Sequence, residues 1–401
     1  MGRILGKAQY RDLLLGAGLL WGTLALILWP DQSMAAMRDG LELCGNVIIP
    51  SLFPFFVLSS LVVELGMSRY LGRLLEPVMA PLFRVNGACA TALALGAVGG
   101  YPVGARTAIQ LYEHGQCSRT EAERMLAFCN NSGPAFILGV VGAGVFGNGI
   151  VGLLLYLVHL AASLLVGILF RLYRPGQGPS TGRSGVQFQA SSFPVAFTHS
   201  ITGALQSTLN ICAFILFFTV FLRIMSRAGV LTALARVLAT LLSPLGMSQQ
   251  WSEHLLTGLI ELSSGVSSLT GGSLSGRLSM AAFMLGWAGV SVHCQVLAFL
   301  GDSGLSMGTY VVGKLLHGGL SALLASLLFR LFPFSDPVSL YLAQQTETIA
   351  HLDFHQTLTI SAVIAWIVWL LFLAMAVYMV NNSRRSPLSK KRGGKNPHHI
   401  L

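Results

Sequence analysis

The sequence predicts an all-α polytopic membrane protein, with about eight transmembrane helices in two inverted repeats. Three observations predict it. Only 10% of the 401 residues are charged while 53% are hydrophobic, and the mean hydropathy is +0.68; a soluble globular chain carries roughly 25% charged residues. Uncharged apolar runs of membrane-crossing length recur along the chain, and its second half repeats its first. The charge deficit excludes an ordinary cytosolic enzyme and a disordered chain alike, because so little polar surface cannot keep such a chain in water.

Leu13 to Trp29 and Thr357 to Val380 carry no charge and are long enough to cross about 30 Å of hydrocarbon. The first is either a span or a secretory leader, since Arg3, Lys7 and Arg11 precede it and Ser33-Met34-Ala35 resembles a cleavage site. Further apolar stretches cover Leu43–Leu65, Met125–Phe146, Ile150–Phe170, Leu209–Leu222, Leu278–Leu300 and Thr309–Phe329. With the N-terminus inside, most Lys and Arg fall on the inner side, against Arg38, Arg223, Arg227, Arg236, Arg277 and Arg330 outside, which predicts both termini in the cytoplasm. The net charge of +10 comes largely from Arg384, Arg385, Lys390, Lys391, Arg392 and Lys395 in the tail. That tail points to topology and anionic lipid, not nucleic acid.

Gly66 to Leu82 aligns without gaps on Gly229 to Leu245, pairing Leu71 with Leu234, Arg73 with Arg236 and Pro81 with Pro244. His159 likewise matches His317, with Phe170-Arg171 matching Phe329-Arg330. Each copy holds a span, an interfacial amphipathic helix, a Gly-rich re-entrant hairpin, a span and another span. Three crossings per copy turn the second upside down, the pattern of a secondary transporter with its site near the midplane.

The first hairpin, Ala88 to His114, turns at Gly99-Gly100-Tyr101-Pro102-Val103-Gly104-Ala105-Arg106. Glycines and a proline so close break any helix and leave bare backbone, which at membrane depth must line a cavity or be buried; the alternative is a tight turn at the surface. A helix then starts at a capping box, Thr120 with Glu123 or Ser118 with Glu121, and runs into Asn130-Asn131-Ser132-Gly133-Pro134 in mid-span. Pro134 suits the first turn of a half-helix whose free N–H groups face the break, an anion seat beside Arg106; the alternative is a pair of amides holding neighbouring helices together. In the second copy the hairpin turns at Glu261-Leu262-Ser263-Ser264-Gly265 and the helix breaks between Gly286 and His293, with Ser291 at the break. Glu261 and His293 either couple proton movement or, for Glu261, pair with Arg277. The matched His159 and His317 point to packing, and Lys314 is expected to snorkel to the inner surface.

Other chemistries find little support. Gly301-Asp302-Ser303-Gly304 has the form of a nucleophile turn, but His317 is too far along the chain to activate Ser303. His351 and His355 lack the glutamate of a zinc-peptidase helix, no Walker motif is present, and the six cysteines form no CxxC pair. No enzymatic activity, cofactor or metal is expected.

The Gly-Tyr-Pro turn, the Glu121-Ala122-Glu123-Arg124 helix and the Asn130-Asn131-Ser132-Gly133-Pro134 break resemble those of sporulation integral membrane proteins of the YlbJ type, in the nucleoside-recognition or Gate-domain families. The resemblance covers about Leu41 to Phe332 and implies a fold like that of concentrative nucleoside transporters. It also implies transport of dipicolinate out of the mother-cell cytoplasm across the outer forespore membrane. The expected organisation is an N-terminal transmembrane helix (1–30), Gate repeat 1 (43–175), a cytoplasmic linker (176–207), an inverted Gate repeat 2 (208–333), an outer loop (334–356), a C-terminal transmembrane helix (357–382) and a basic cytoplasmic tail (383–401). The expected binding residues are Gly100, Tyr101, Pro102, Gly104, Arg106, Asn130, Asn131, Ser132, Gly133, Ser263, Ser264, Gly265 and Ser291. The partners are a small dicarboxylate and the lipid bilayer; the alternatives are a nucleoside permease or a non-transporting sporulation scaffold.

Overall fold

In the computed structural model, residues 7–179, 192–301, 303–331 and Val363 are described, and among them the chain forms helices and turns without a strand. The first apolar run becomes α1 (Lys7–Leu28). Pro30 opens α2 (Pro30–Leu43) in its first turn, where the missing N–H has no helical partner to lose. A π turn at Cys44–Ile48 carries α2 into α3 (Ile49–Glu64). After α4 (Ser68–Phe83) the chain bends by 93° into α5 (Ala90–Gly99), which pairs with α6 (Val103–Glu113) as the expected hairpin.

α7 (Arg119–Leu126) starts on a capping box. Ser118 Oγ accepts from Glu121 N–H at 3.3 Å, and Glu121 Oε2 accepts from Ser118 N–H at 2.8 Å. The expected span Met125–Phe146 does not run through. Residues 130–133 are unwound, because a helix cannot continue across the Gly133-Pro134 step, and a π-helix follows at Ala135–Val145. Asn148 then caps α8 (Gly149–Phe170) through Ile150 and Val151 N–H.

The second half comprises α9 (Phe193–Arg227), α10 (Val230–Leu241), α11 (Gln249–Ile260), α12 (Leu262–Ser267), α13 (Leu274–Trp287), α14 (Gly289–Leu300) and α15 (Met307–Leu331). α9 starts earlier than expected, so residues 193–207 are helix, not linker. Pro194 sits in its first turn, and Ala196, Ser200, Ala204 and Ser207 make a buried small-residue face. Such a face lies outside what an apolar-run criterion detects. The span Leu278–Leu300 breaks at Ala288 (φ 78°) and Gly289 (φ 84°), as the glycines around Trp287 predict.

Arg11–Leu28, Gly149–Phe170, Phe193–Arg227, Leu274–Leu300 and Met307–Leu331 are long and apolar enough to cross a membrane, and the bent α4–α5 pair would add a sixth crossing. The outer loop, the C-terminal helix, the basic tail, His351 and His355 lie outside the described residues, as do residues 180–191 and Asp302. One core cluster joins α4, α5, α6 and α7 to the ends of α8, α14 and α15. A second joins the π-helix and α8 to α12, α13 and α15, and a third joins α2 and α3 to α9. The two halves therefore share their core.

Candidate functional site

In each half the hairpin tip abuts the broken helix. Gly100, at φ 79°, lies so close to the first break that a Cβ there would come 2.9 Å from Gly133 N. Lower down, Gly96 and Gly104 let both hairpin arms close on the Cys129 carbonyl, which a Cβ on either would overlap. In the second half Gly289 presses on the Glu261 tip, where a Cβ would lie 3.1 Å from Ile260 O and Leu262 N. The glycines that marked turns in the sequence are thus the places where two stretches of bare backbone touch.

Polar side chains from both halves connect at the first break, all of them buried except the half-buried Tyr101. Lys314 of α15 donates from Nζ to Asn130 O at 2.9 Å and to Tyr101 Oη at 3.3 Å, and lies 3.4 Å from His317 Nδ1. Tyr101 donates in turn to Leu285 O of α13. His317 donates from Nε2 to His159 O at 2.9 Å, and the two rings lie 4.4 Å apart. His159 Nε2 accepts from Ser132 N–H at 3.0 Å, so the unwound break hangs on a ring of α8. Asn130 Nδ2 reaches Tyr310 Oη at 3.3 Å, which lies 3.1 Å from His293 Nδ1 of α14. Asn130 Oδ1, Asn131 Oδ1, His159 Nδ1 and His293 Nε2 are buried without a partner. Native interiors satisfy nearly all buried polar atoms, so Asn130 Oδ1, His159 Nδ1 and His293 Nε2, three such atoms in one network, are candidates to meet a ligand or a water.

Of the expected binding residues, Gly100, Tyr101, Gly104, Asn130, Asn131, Ser132 and Gly133 converge at this break, with Pro102 completing the tip. His293 joins them through Tyr310. Ser263, Ser264 and Gly265 form the second tip, where the Ser263 and Ser264 N–H groups donate to the Glu261 carboxylate at 2.9 and 2.7 Å. Glu261 therefore caps α12. Arg277, its alternative partner, stacks instead over Phe146, 5.8 Å from the ring centroid. Ser291 is buried near the start of α14, 3.5 Å from Gln295 Nε2.

Arg106 points elsewhere. Gly104 faces Cys129, and two residues on lie about 200° round the helix, on the opposite side. There the Arg106 guanidinium sits over the Phe56 ring at 4.8 Å and beside Gly203 of α9, with Nη1 lacking a partner. Lys314 does not snorkel: it is fully buried, because Tyr101 and the unwound break close over it. Lys314, Tyr310, His159 and His317 are the members that the sequence did not single out as binding residues. The available signal was a lysine within an uncharged span, one turn before a histidine shared by both repeats.

A second buried cluster surrounds α7. Arg124 donates to the carbonyls of Arg84, Tyr173, Arg174 and Gln177, while Glu123 pairs with Arg119 and Arg174 and accepts from Tyr173 Oη and Ser306 N–H. Among the described residues no group of three or more His, Cys, Asp or Glu is arranged to hold a metal ion.

A family model described as Gate, nucleoside recognition, matches residues 47–149. The sporulation integral membrane protein YlbJ of Bacillus subtilis (strain 168) is 32% identical over 342 residues, covering 80% of this chain and 84% of that protein. The chain belongs to the YlbJ family of sporulation integral membrane proteins. Two solved structures of CNTnw are similar to this YlbJ-family chain at low identity. The inward-facing substrate-bound state has a TM-score of 0.44 at 16% identity, covering 79% of this chain and 86% of that one. The outward-facing state of a doubly substituted CNTnw variant has a TM-score of 0.42 at 15% identity, covering 80% and 87%.

Proposed function

We propose that this YlbJ-family protein is a secondary transporter of a small anionic metabolite, and that the metabolite is dipicolinate, moved from mother cell toward forespore during sporulation. The observation that carries the reading is the tip-to-break meeting in both halves: bare backbone and unpartnered amide and imidazole groups gather where helices from both halves meet. Irregular backbone inside a membrane protein is tolerated where it lines a cavity or is buried in protein, and in transporters such breaks mark the substrate site. The two halves are inverted copies with the site between them, both termini lie in the cytoplasm, and the protein resides in the outer forespore membrane. Support for dipicolinate is the sporulation relative together with the donors at the site: a planar dicarboxylate needs a cation and N–H groups for its oxygens, and amides for its ring nitrogen.

The full-length protein reconstituted in liposomes should move labelled dipicolinate and respond to an imposed pH gradient. Absence of dipicolinate flux would end this reading. The description of the Gate family favours a second one, a nucleoside permease. It predicts that nucleosides compete and that dipicolinate does not.

A further inference from the structure

The network at the first break contains an unbalanced charge. Lys314 is fully buried, and no Asp or Glu among the described residues comes within 4 Å of its ammonium. Its protons face a carbonyl, a phenol oxygen and an imidazole nitrogen, and it lies 4.8 Å from the Tyr101 ring centroid. These neutral dipoles satisfy its hydrogen bonds without supplying a counter-charge, and an unpaired ion in a dry interior is strongly unfavourable.

Proton placement around it follows from the contacts. The Asn130 amide donates to Tyr310 Oη; when that hydroxyl gives its own proton to His293 Nδ1, the His293 Nε2–H is a donor without a partner. The Ser132 N–H on His159 Nε2 puts the His159 proton on Nδ1, also without a partner. One cation and two imidazole N–H donors, all buried, complement an anion.

We propose that Lys314, assisted by His293, seats a carboxylate of the transported molecule and sets the preference for anions over neutral metabolites. The inference rests on the transport reading above and names the residue that gives the site its sign. The groups now covering the ammonium, Tyr101 and the Asn130 carbonyl, belong to the tip and the break, the two elements that must separate for the site to open. Their separation releases Lys314 protons to an incoming carboxylate. Arg106, a buried cation whose Nη1 lacks a partner, faces α3 and α9 and serves as the comparison.

The experiment measures binding to the purified full-length protein of dipicolinate, of its neutral diamide, and of benzoate as a second carboxylate. Variants are Lys314→Gln, Lys314→Arg and Arg106→Ala. Thermal unfolding is recorded for each without ligand. The wild-type preference for dipicolinate over the diamide should fall at least about tenfold in Lys314→Gln, persist in Lys314→Arg and change less than about twofold in Arg106→Ala. Unliganded Lys314→Gln should be as stable as wild type or more so, which a purely structural lysine would not give. If Lys314→Gln keeps the wild-type preference, or Arg106→Ala loses it, the role of Lys314 is overturned and dipicolinate transport stands. If wild type ignores dipicolinate but binds benzoate through Lys314, the substrate is overturned and the lysine's role stands. Should Lys314→Gln fail to fold, Lys314→Arg decides: loss of the preference in that well-folded, charge-retaining variant overturns the proposal.

Discussion

Gly100→Ala tests the tip-to-break contact directly. Gly100 has φ 79° and ψ −171°, a region nearly confined to glycine, and a side chain there costs about 1–3 kcal/mol. Its new Cβ would stand 2.9 Å from Gly133 N and 3.2 Å from Gly133 Cα. Ordinary contact begins at 3.4 Å, so the tip must retreat from the break by about 0.5 Å. Overpacking of this kind costs about 1–3 kcal/mol more, giving about 2–6 kcal/mol in total. Gly229→Ala is the control: it has φ 72° and ψ 4° at the start of α10, with nothing within 4 Å of its Cβ. It should lose only about 1–2 kcal/mol, the cost of a left-handed residue. Thermal or denaturant unfolding in detergent gives the stabilities, and flux in liposomes gives function. Gly100→Ala should be the less stable variant and should lose flux even at temperatures where it remains folded. Equal stability and equal flux in the two variants would refute the idea that tip and break form one surface.

Three further predictions concern the polar framework. Arg124→Met strips a buried cation from four carbonyls and should cost about 2–4 kcal/mol, read by denaturant unfolding, with little rescue in Arg124→Lys, whose ammonium cannot fork among them. Glu261→Gln keeps an acceptor for the start of α12 and should cost less than about 1 kcal/mol; loss of the response to a pH gradient at unchanged stability would reveal a coupling role beyond the cap. His159→Phe leaves the buried Ser132 N–H without an acceptor and should cost about 1–3 kcal/mol by unfolding, whereas His317→Phe spares that bond but frees the His159 carbonyl.

What the sequence discloses here follows the range of each physical cause. The breaks at Pro134 and Gly289, the Gly100 tip and the Ser118 cap were legible because each arises from the backbone freedom or hydrogen bonding of residues adjacent in sequence. The long α9 was hidden, since its first turns bury small residues and carry no apolar run to announce them. The direction of Arg106 was hidden for a related reason. Its neighbour Gly104 had to face Cys129, and that single close approach turns Arg106 away from the break.

Lys314 shows the same limit from the other side. Read along its own helix, a lysine near apolar neighbours invites a snorkelling interpretation, because nothing local says what will cover it. Cover comes from 213 residues away in sequence at Tyr101 and 184 residues away at Asn130. Both positions were already notable for bare backbone, and bare backbone needs partners from outside its own segment. The lysine of one half therefore satisfies the exposed carbonyl of the other, while Tyr101 reaches across to Leu285. Each half completes the irregular element of its neighbour, so rearranging either break must disturb the contact between halves. In a carrier that is the coupling required between ligand and conformation.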